Sequence, residues 1–377
     1  MNLGALLVAC PSYSSKDTPV LDRFRVADDI AVRIPQETMR ATVEDIFTRL
    51  GMTPEDASRG ADTLLYADIR GIDSHGVSNM MRAYVHGLEN DQINPTPSWQ
   101  VVNDAGAAVN VDCDEGLGIV VGPQCMDLAI KKAKQNGIGM VTAHNGGHYG
   151  AAAYHAQRAL AHDMVGLSMT TGGVLVVPTQ GAEPMLGLNP IGIAAPTRNA
   201  EPYIFDASMS SLAANKIQLL RRVGGTALAG WVAGEDGAPI MEEGPVPEKY
   251  RMLPLGGTRE IGSHKGYGLM MLVEILTGAL SGGGVGPFRR QGSSHFFMAI
   301  NIAALTGLAS FQDDMDEYLG ALLASTPAPG EERVVYAGIP EAEDEADRRE
   351  KGIPYHPEVI EWFKSTVDRL ELRSRFN

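Results

Sequence analysis

The chain has few cysteines, and their spacing suits neither a metal cluster nor a disulfide framework. Among 377 residues only Cys10, Cys113 and Cys125 occur, and no pair forms a Cys-x-x-Cys motif. This sparse usage argues against a zinc ribbon, an iron–sulfur site and a disulfide-stabilised fold. It is typical of a reducing compartment, so we predict a cytoplasmic location.

Positive charge is also scarce. The 31 Lys and Arg residues face 46 Asp and Glu residues, which gives a formal net charge of −15. Because binding to nucleic acid requires a basic face, this balance argues against such a partner. No apolar run reaches the ~18 residues that would span a bilayer. We therefore predict neither a nucleic-acid nor a membrane partner.

The length and the hydrophobic content of 44% allow a large core that is divided between two lobes. Residues 1–32 are predicted to be an N-terminal extension, although residues 3–10 mimic a lipoprotein cleavage box without a basic region before it. Segments 33–110 and 285–377 are assigned to a helical lobe that binds substrate and mediates dimerisation. Residues 111–284 are assigned to an α/β lobe that binds NAD(P).

Alternating strand-like and helix-like segments in the middle of the chain predict a mixed α/β fold. Thr53, followed by Pro54, predicts a helix start, and that helix ends near Gly71. The predicted strands are 107–111, 139–143, 165–170, 191–195, 203–206, 295–302 and 333–337. The predicted helices include 122–136, 150–162, 211–222, the apolar stretch after Lys265, 313–325, an acidic helix face at 341–347 and 356–371.

A Rossmann dinucleotide fingerprint is approached but not completed. Gly116-Leu117-Gly118 stands between a strand-like segment and a helix, yet the third glycine is replaced by Val121. The acidic residue expected about 20 positions later is missing, since residues 134–137 are Lys-Gln-Asn-Gly. The pattern therefore disfavours a Rossmann fold.

Four of the nine histidines crowd into residues 144–162, which raises the hypothesis of a metal site. A spacing of seven residues separates His148, His155 and His162 by ~10 Å along a helix, too far to share one ion. We therefore predict no metal, with His155 and His162 on a helix surface. His148 differs because it follows two glycines in a loop, where a flat ligand could approach the backbone.

The tetrapeptide Asp73-Ser74-His75-Gly76 carries the strongest chemical signal. Imidazole exchanges protons near neutral pH, and here a hydroxyl and a carboxylate stand beside it. Taken alone, it is also compatible with a structural histidine. A serine hydrolase is disfavoured because adjacent side chains rarely point at one another and the chain lacks a Gly-x-Ser-x-Gly elbow.

Other polar residues stand at the ends of predicted elements. Asp206 ends a strand, where it could hold an imidazole or cap the following helix. Lys265 begins an apolar helix, where its charge opposes the helix dipole and calls for an anionic partner such as a cofactor phosphate or a carboxylate.

Together these elements resemble the malate/L-lactate dehydrogenase-2 family, which includes ureidoglycolate, sulfolactate and Δ1-piperideine-2-carboxylate oxidoreductases. The resemblance covers residues from about Ile34 to the end. The matching segments are 67–76, 145–152, 187–190, 205–207 with Ser210 and 215–216, 230–231 and 263–269. It implies a non-Rossmann mixed sheet flanked by helices, with helical N- and C-terminal lobes. It also implies a homodimer with the active site near the interface, and hydride transfer between NADH or NADPH and C2 of a small 2-hydroxy or 2-oxo acid.

The resemblance also implies residue roles. His75 would exchange the proton, Asp206 would hold His75, Ser74 would bond the substrate and His148 would cover the nicotinamide end. The residues implied for cofactor binding are His148, Gly150, Asn189, Pro190, Ser210, Lys216, His264, Lys265 and Gly266.

The chain departs from the family pattern at three positions. Asn79 stands where the family often has an arginine that clamps a carboxylate. On a helix Arg82 would share a face with His75 and Asn79, so we hypothesise that Arg82 replaces the clamp and that Asn79 lies beside it in the substrate site. Leu188 and Met209 replace threonines near the cofactor path. These departures leave open a non-catalytic carboxylate- or nucleotide-binding role, or reduction of cyclic imino acids.

Overall fold

The computed structural model describes residues 22–376, so the segment 3–10 lies outside the described residues. The described residues form ten α-helices. They are α1 (Gln36–Arg49), α2 (Pro54–Ile69), α3 (Val77–Glu89), α4 (Gly118–Asn136), α5 (Ala152–Gln157), α6 (Ala214–Val223), α7 (Ser263–Glu274), α8 (Leu308–Leu323), α9 (Ile339–Lys351) and α10 (Pro357–Arg369). None of these helices is both long and apolar enough to cross a membrane.

One seven-stranded mixed sheet forms the centre of the fold. Its strands in spatial order are β2 (Gln100–Ala105), β3 (Ala108–Asp112), β4 (Ile138–Gly146), β12 (Ser293–Asn301), β5 (Met164–Thr170), β6 (Ile191–Ala195) and β7 (Tyr203–Ala207). Only β3 and β4 pair in parallel, and every other neighbouring pair is antiparallel. A Rossmann fold requires a mostly parallel sheet, so the prediction of a non-Rossmann mixed sheet is confirmed.

Three short strand pairs complete the secondary structure. They are β1 (Val32–Ile34) with β13 (Ile353–Tyr355), β8 (Thr226–Ala227) with β10 (Gly244–Pro245), and β9 (Val232–Ala233) with β11 (Arg251–Met252). The first pair joins the beginning of the described chain to its end. Helices α1, α2, α3 and α10 share one hydrophobic core there, which includes Phe47, Leu64 and Phe363.

The predicted domain boundary at residue 285 does not separate the sheet from the helices. Strand β12 comes from the C-terminal segment, yet it lies in the middle of the sheet between β4 and β5. Hydrogen bonding to both neighbours makes β12 part of the α/β unit. The assignment of all of 285–377 to the helical lobe is therefore corrected, although the N- and C-terminal helices do pack together.

Two local predictions were also wrong. Residues 333–337 form no strand. His155 is buried and not on a helix surface, because α5 packs tightly against β5 and β6. A Cβ on Gly166 would lie 2.0 Å from the carbonyl oxygen of Ala156, which shows how close the helix approaches the sheet. The predicted start of α2 is confirmed, since Thr53 accepts a hydrogen bond from the backbone N–H of Asp56 at 3.1 Å.

Candidate active site

The loop between α2 and α3 presents His75. Asp68, fully buried near the end of α2, accepts hydrogen bonds from the Val77 N–H and from the Tyr355 hydroxyl. Gly76 passes so close to Asp68 that a Cβ there would lie 1.7 Å from its carboxylate oxygen. A glycine is therefore required at this position, and the carboxylate fixes the start of α3 directly after the histidine.

Ser74 and His75 contact each other although they are neighbours in sequence. The Ser74 Oγ lies 2.8 Å from His75 Nδ1, so the expectation that adjacent side chains would diverge was wrong. A backbone bond from the His75 N–H to the Ile72 carbonyl closes the turn that allows this contact. Burial, and then the charge of Lys216, lower the pKa of His75 to about 4. The imidazole is therefore neutral at pH 7 and able to accept a proton.

His148 lies directly beside His75. The two rings are stacked with centroids 5.7 Å apart and an interplanar angle of 14°. His148 follows the end of β4, and its Nδ1 lies 2.6 Å from the hydroxyl of Tyr84 on α3. Burial lowers the pKa of His148 to about 3, with a smaller contribution from His75. Two neutral imidazoles thus share one surface of the site.

Asp206 does not hold His75. Its carboxylate accepts a hydrogen bond from the Ala153 N–H at 2.8 Å and thereby caps the start of α5. Within residues 22–376 the partner of the His75 ring nitrogen is Ser74, not Asp206. Asp206 therefore caps α5 and does not cap α6, the helix that follows it in sequence. Burial raises the pKa of Asp206 to about 6, and the charge of Lys216 partly opposes that rise.

Lys216 brings positive charge toward His75. It lies in the first turn of α6, with its ammonium nitrogen 4.9 Å from the centre of the Phe24 ring. Its neighbour Asn215 donates a hydrogen bond to the Ser74 carbonyl at 2.9 Å, which joins α6 to the His75 loop. Burial lowers the pKa of Lys216. Among the described residues it forms no ion pair, so its positive charge is only partly compensated.

Arg82 does not supply a clamp beside His75. It forms an ion pair with Glu358 on α10 and lies over the ring of Trp362. His75 precedes α3 and does not belong to it, so it does not share a helix face with Arg82 as the sequence predicted. The guanidinium next to Asn79 belongs to Arg222, which donates to the Asn79 side-chain oxygen at 3.0 Å. Asn79 itself donates to the Asn215 carbonyl at 3.1 Å, so it links α3 to α6.

Two residues expected at the cofactor have structural roles. Asn189 is fully buried and donates from its amide to the Met270 carbonyl and to Glu274. Ser210 is buried and donates to the Leu212 carbonyl at 2.8 Å. With these groups already paired inside the protein, neither side chain is available to line a cofactor. Pro190 follows Asn189 and is partly exposed.

The beginning of α7 fits an anionic ligand. His264 and Lys265 are exposed there, and Arg259 approaches His264 Nδ1 at 2.8 Å. Lys265 forms no ion pair with any residue between 22 and 376. Gly266 is buried, and it packs so closely against Leu255 that a Cβ would lie 2.4 Å from the Leu255 carbonyl oxygen. This donor set is suited to the phosphates of a dinucleotide, although it lies on a different element from His75.

Gly150 contributes backbone geometry to the site. Its φ of +78° lies in the left-handed region, and its N–H points to His148 Nδ1 at 3.3 Å. The described residues contain no group of three or more His, Cys, Asp or Glu side chains that could hold a metal ion.

Sequence reasoning missed Tyr84 and Arg222. Tyr84 belongs to the apolar stripe of α3, and the one signal was that a tyrosine buried in such a stripe needs a partner for its hydroxyl. Arg222 forms a basic pair with Arg221 in the last turn of α6. No local pattern indicates that it reaches Asn79 on another helix.

The fold is of the mixed α/β class, and the stacked histidines include a neutral imidazole that could exchange a proton. The family model for malate/L-lactate dehydrogenase matches residues 34–364. The chain belongs to this family and is a dehydrogenase of the hydroxy-acid type. The reaction of such a dehydrogenase implies a nicotinamide cofactor.

Individual relatives agree with this assignment. Malate dehydrogenase from Pyrococcus horikoshii is 37% identical over 350 residues, which cover 91% of this chain and 97% of the relative. L-sulfolactate dehydrogenase from Methanocaldococcus jannaschii is 34% identical and covers 81% of this chain and 88% of its own length. The solved structure of the Pyrococcus enzyme superposes with a TM-score of 0.85 at 35% identity, over 93% of this chain and 99% of that one.

Proposed function

We propose that the protein is an NAD- or NADP-dependent 2-hydroxy-acid dehydrogenase that works reversibly as a 2-oxo-acid reductase on small carboxylates. The observation that supports this most directly is the neutral His75, bonded to Ser74 and stacked on His148. A bound nicotinamide would supply the hydride acceptor or donor. The side chains of the chain itself bind the substrate and move the proton.

His75 exchanges the proton in this proposal. Oxidation of a hydroxy acid requires removal of the hydroxyl proton, and a neutral imidazole accepts it. The Ser74 contact fixes the orientation of the ring at Nδ1, which leaves Nε2 for the substrate. In the reverse direction the same ring must first be protonated. Binding of a carboxylate beside Lys216 favours that step because it offsets the charge that lowers the pKa of His75.

Lys216 is the group that we assign to the substrate carboxylate, in place of Arg82. Its charge lowers the pKa of His75, and its neighbour Asn215 is hydrogen-bonded to the Ser74 carbonyl in the His75 loop. Arg82 is already paired with Glu358. His264 and Lys265 would hold the cofactor phosphates at the start of α7, whereas Gly266 lets the helix pack closely against Leu255.

Absorbance of reduced nicotinamide provides the test. Purified protein is incubated with NAD or NADP and a panel of 2-hydroxy acids, and in the reverse direction with 2-oxo acids and cyclic imino acids. We expect turnover with at least one small 2-hydroxy acid and a loss of about 10²- to 10⁴-fold in kcat for His75→Asn. Nucleotide binding without turnover of any panel member would instead indicate a non-catalytic protein. Turnover of cyclic imino acids alone would place the substrate in that class.

We further propose that the enzyme is a homodimer, formed through the exposed face of α7. Leu269, Leu272, Ile275 and Leu280 lie on that side of the helix and its π-helical extension, and each is at least 39% exposed. An apolar stripe of this size is costly in water, and a second copy of the chain would cover it. Because His264 and Lys265 lie in the first turn of α7, such an interface would adjoin the cofactor site.

Light scattering on size-exclusion chromatography tests the dimer. We expect twice the 40.2 kDa chain mass for the parent protein. Ile275→Asp should shift the mass toward the monomer. The control Ile30→Asp should not, because Ile30 is 46% exposed, against 53% for Ile275, and does not belong to α7. A monomeric parent protein would refute the proposal. We also infer a cytoplasmic location, supported by the free, buried thiols of Cys113 and Cys125.

A further inference from the structure

Two hydrogen bonds converge on the same nitrogen of His148. The Tyr84 hydroxyl lies 2.6 Å from Nδ1, and the Gly150 N–H points to the same atom at 3.3 Å. A backbone N–H can only donate, so Nδ1 must carry a lone pair. The Tyr84 hydroxyl therefore donates as well, and the ring proton of neutral His148 resides on Nε2.

The surroundings of His148 exclude a charged ring. Burial, and then neighbouring His75, His295 and His155, lower its pKa to about 3, so both nitrogens are not protonated together near pH 7. The opposite tautomer would place a proton on Nδ1 against the Gly150 N–H and would break that bond. Its Nε2–H is the one polar group of the ring that these contacts leave for a ligand.

We propose that Tyr84 is a positioning residue that holds His148 in the Nε2–H tautomer, and that His148 donates a hydrogen bond to the reacting oxygen of the substrate. The inference rests on the proposed function. It divides the work between the stacked rings: His75 exchanges the proton, while His148 stabilises negative charge on the same oxygen. A fixed donor acts most strongly when the oxygen becomes an alkoxide.

The packing of Tyr84 makes its hydroxyl testable by itself. The ring is buried and lies 6.4 Å from the ring of Phe47, a contact that phenylalanine would keep. Tyr84→Phe therefore removes one oxygen atom and leaves the core filled. Tyr336→Phe is the matched control, because that buried tyrosine donates to the Glu201 carbonyl at 2.8 Å on a different part of the fold.

Histidine ¹⁵N NMR of the enzyme without substrate reads the tautomer without any need for turnover. The His148 signals are assigned by their loss in a His148→Gln variant. We expect the Nε2–H tautomer in the parent protein and in Tyr336→Phe, and a mixture of tautomers in Tyr84→Phe. A parent ring protonated at Nδ1, or an unchanged tautomer in Tyr84→Phe, would overturn the inference.

Kinetics separate a donor from a base. Glutamine carries an N–H close to the position of the histidine Nε2–H. If His148 is a hydrogen-bond donor, His148→Gln should therefore retain at least 10-fold more kcat than His148→Ala. If His148 exchanges the proton instead, both variants should be equally inactive. Tyr84→Phe should lower kcat by about 10- to 100-fold with little change in KM. An inactive parent protein that shows the expected tautomer would refute the proposed function and leave the assignment of Tyr84 standing.

Discussion

Replacing Lys216 by methionine should raise the pKa of His75. The ammonium group of Lys216 acts on the imidazole from the first turn of α6, and its positive charge disfavours a protonated ring. Methionine keeps most of the length and the apolar contact with Phe24 while it removes the charge. The burial of His75, which is the larger cause of its lowered pKa, stays in place.

The expected size of the change follows from these two causes. Together they lower the pKa of His75 from 6.5 to about 4, and Lys216 contributes the smaller part. Its removal should therefore raise the pKa by about one unit, or ~1.4 kcal/mol of interaction between the two charges. Loss of a charged partner for the carboxylate should also raise KM for the hydroxy acid by ~10-fold or more.

The pH dependence of kcat/KM for hydroxy-acid oxidation measures the change. His75 must be neutral to accept the proton, so kcat/KM should rise with pH through the pKa of the free enzyme and then level off. In Lys216→Met this rise should move to higher pH by about one unit. Proton NMR titration of His75 provides the same pKa without substrate, within the pH range where circular dichroism shows the fold to be intact.

Lys216→Arg is the control, because it keeps the charge and should keep the pH profile. If the profile and the NMR titration of Lys216→Met coincide with those of the parent protein, the charge of Lys216 does not act on His75. An arginine variant that shifted the profile as much as the methionine variant would equally show that the charge of residue 216 does not set the pKa of His75.

Two further predictions concern stability. Four partly or fully buried histidines have pKa values lowered to between about 3 and 4, namely His75, His148, His155 and His295. They gain protons on unfolding below pH ~6.5, while Asp68 and Asp206, with raised pKa values, lose theirs. The net uptake of about two protons should remove ~2–3 kcal/mol of unfolding free energy per pH unit as the pH falls from 6 to 5. A melting temperature that stays constant over this range would contradict the prediction. Gly76→Ala should destabilise the protein by ~1–3 kcal/mol through its clash with Asp68, whereas Gly320→Ala, which meets nothing within 4 Å on α8, should stabilise it slightly in the same thermal melts.

Local patterns predicted the elements well. The N-cap at Thr53, the helical spacing of apolar residues and the strand-like runs depend on neighbours in sequence, and the structure confirms most of them. Burial against distant elements was not accessible in this way. His155 was expected on a surface, but the sheet packed on α5 encloses it.

The candidate site divides along the same line. Residues 73–76 indicated proton chemistry because the residue types themselves carry it, and the incomplete glycine fingerprint disfavoured a Rossmann fold. Asp206 and Arg82 were assigned the wrong partners, and their actual partners lie far from them in the chain. Asp206 caps α5, and Arg82 pairs with Glu358, because each side chain bonds to the nearest complementary group in space.

The sequence by itself determined the fold class, the family resemblance and the histidine to which we assign the proton exchange. These follow from residue type and short spacing, which do not change when the chain folds. Only the tertiary structure decided which groups surround that histidine. Ser74, His148 and Lys216 meet around His75 because α3, β4 and α6 converge there. Burial and a neighbouring charge at that meeting point set the pKa of His75, and both arise from contacts between segments far apart in sequence.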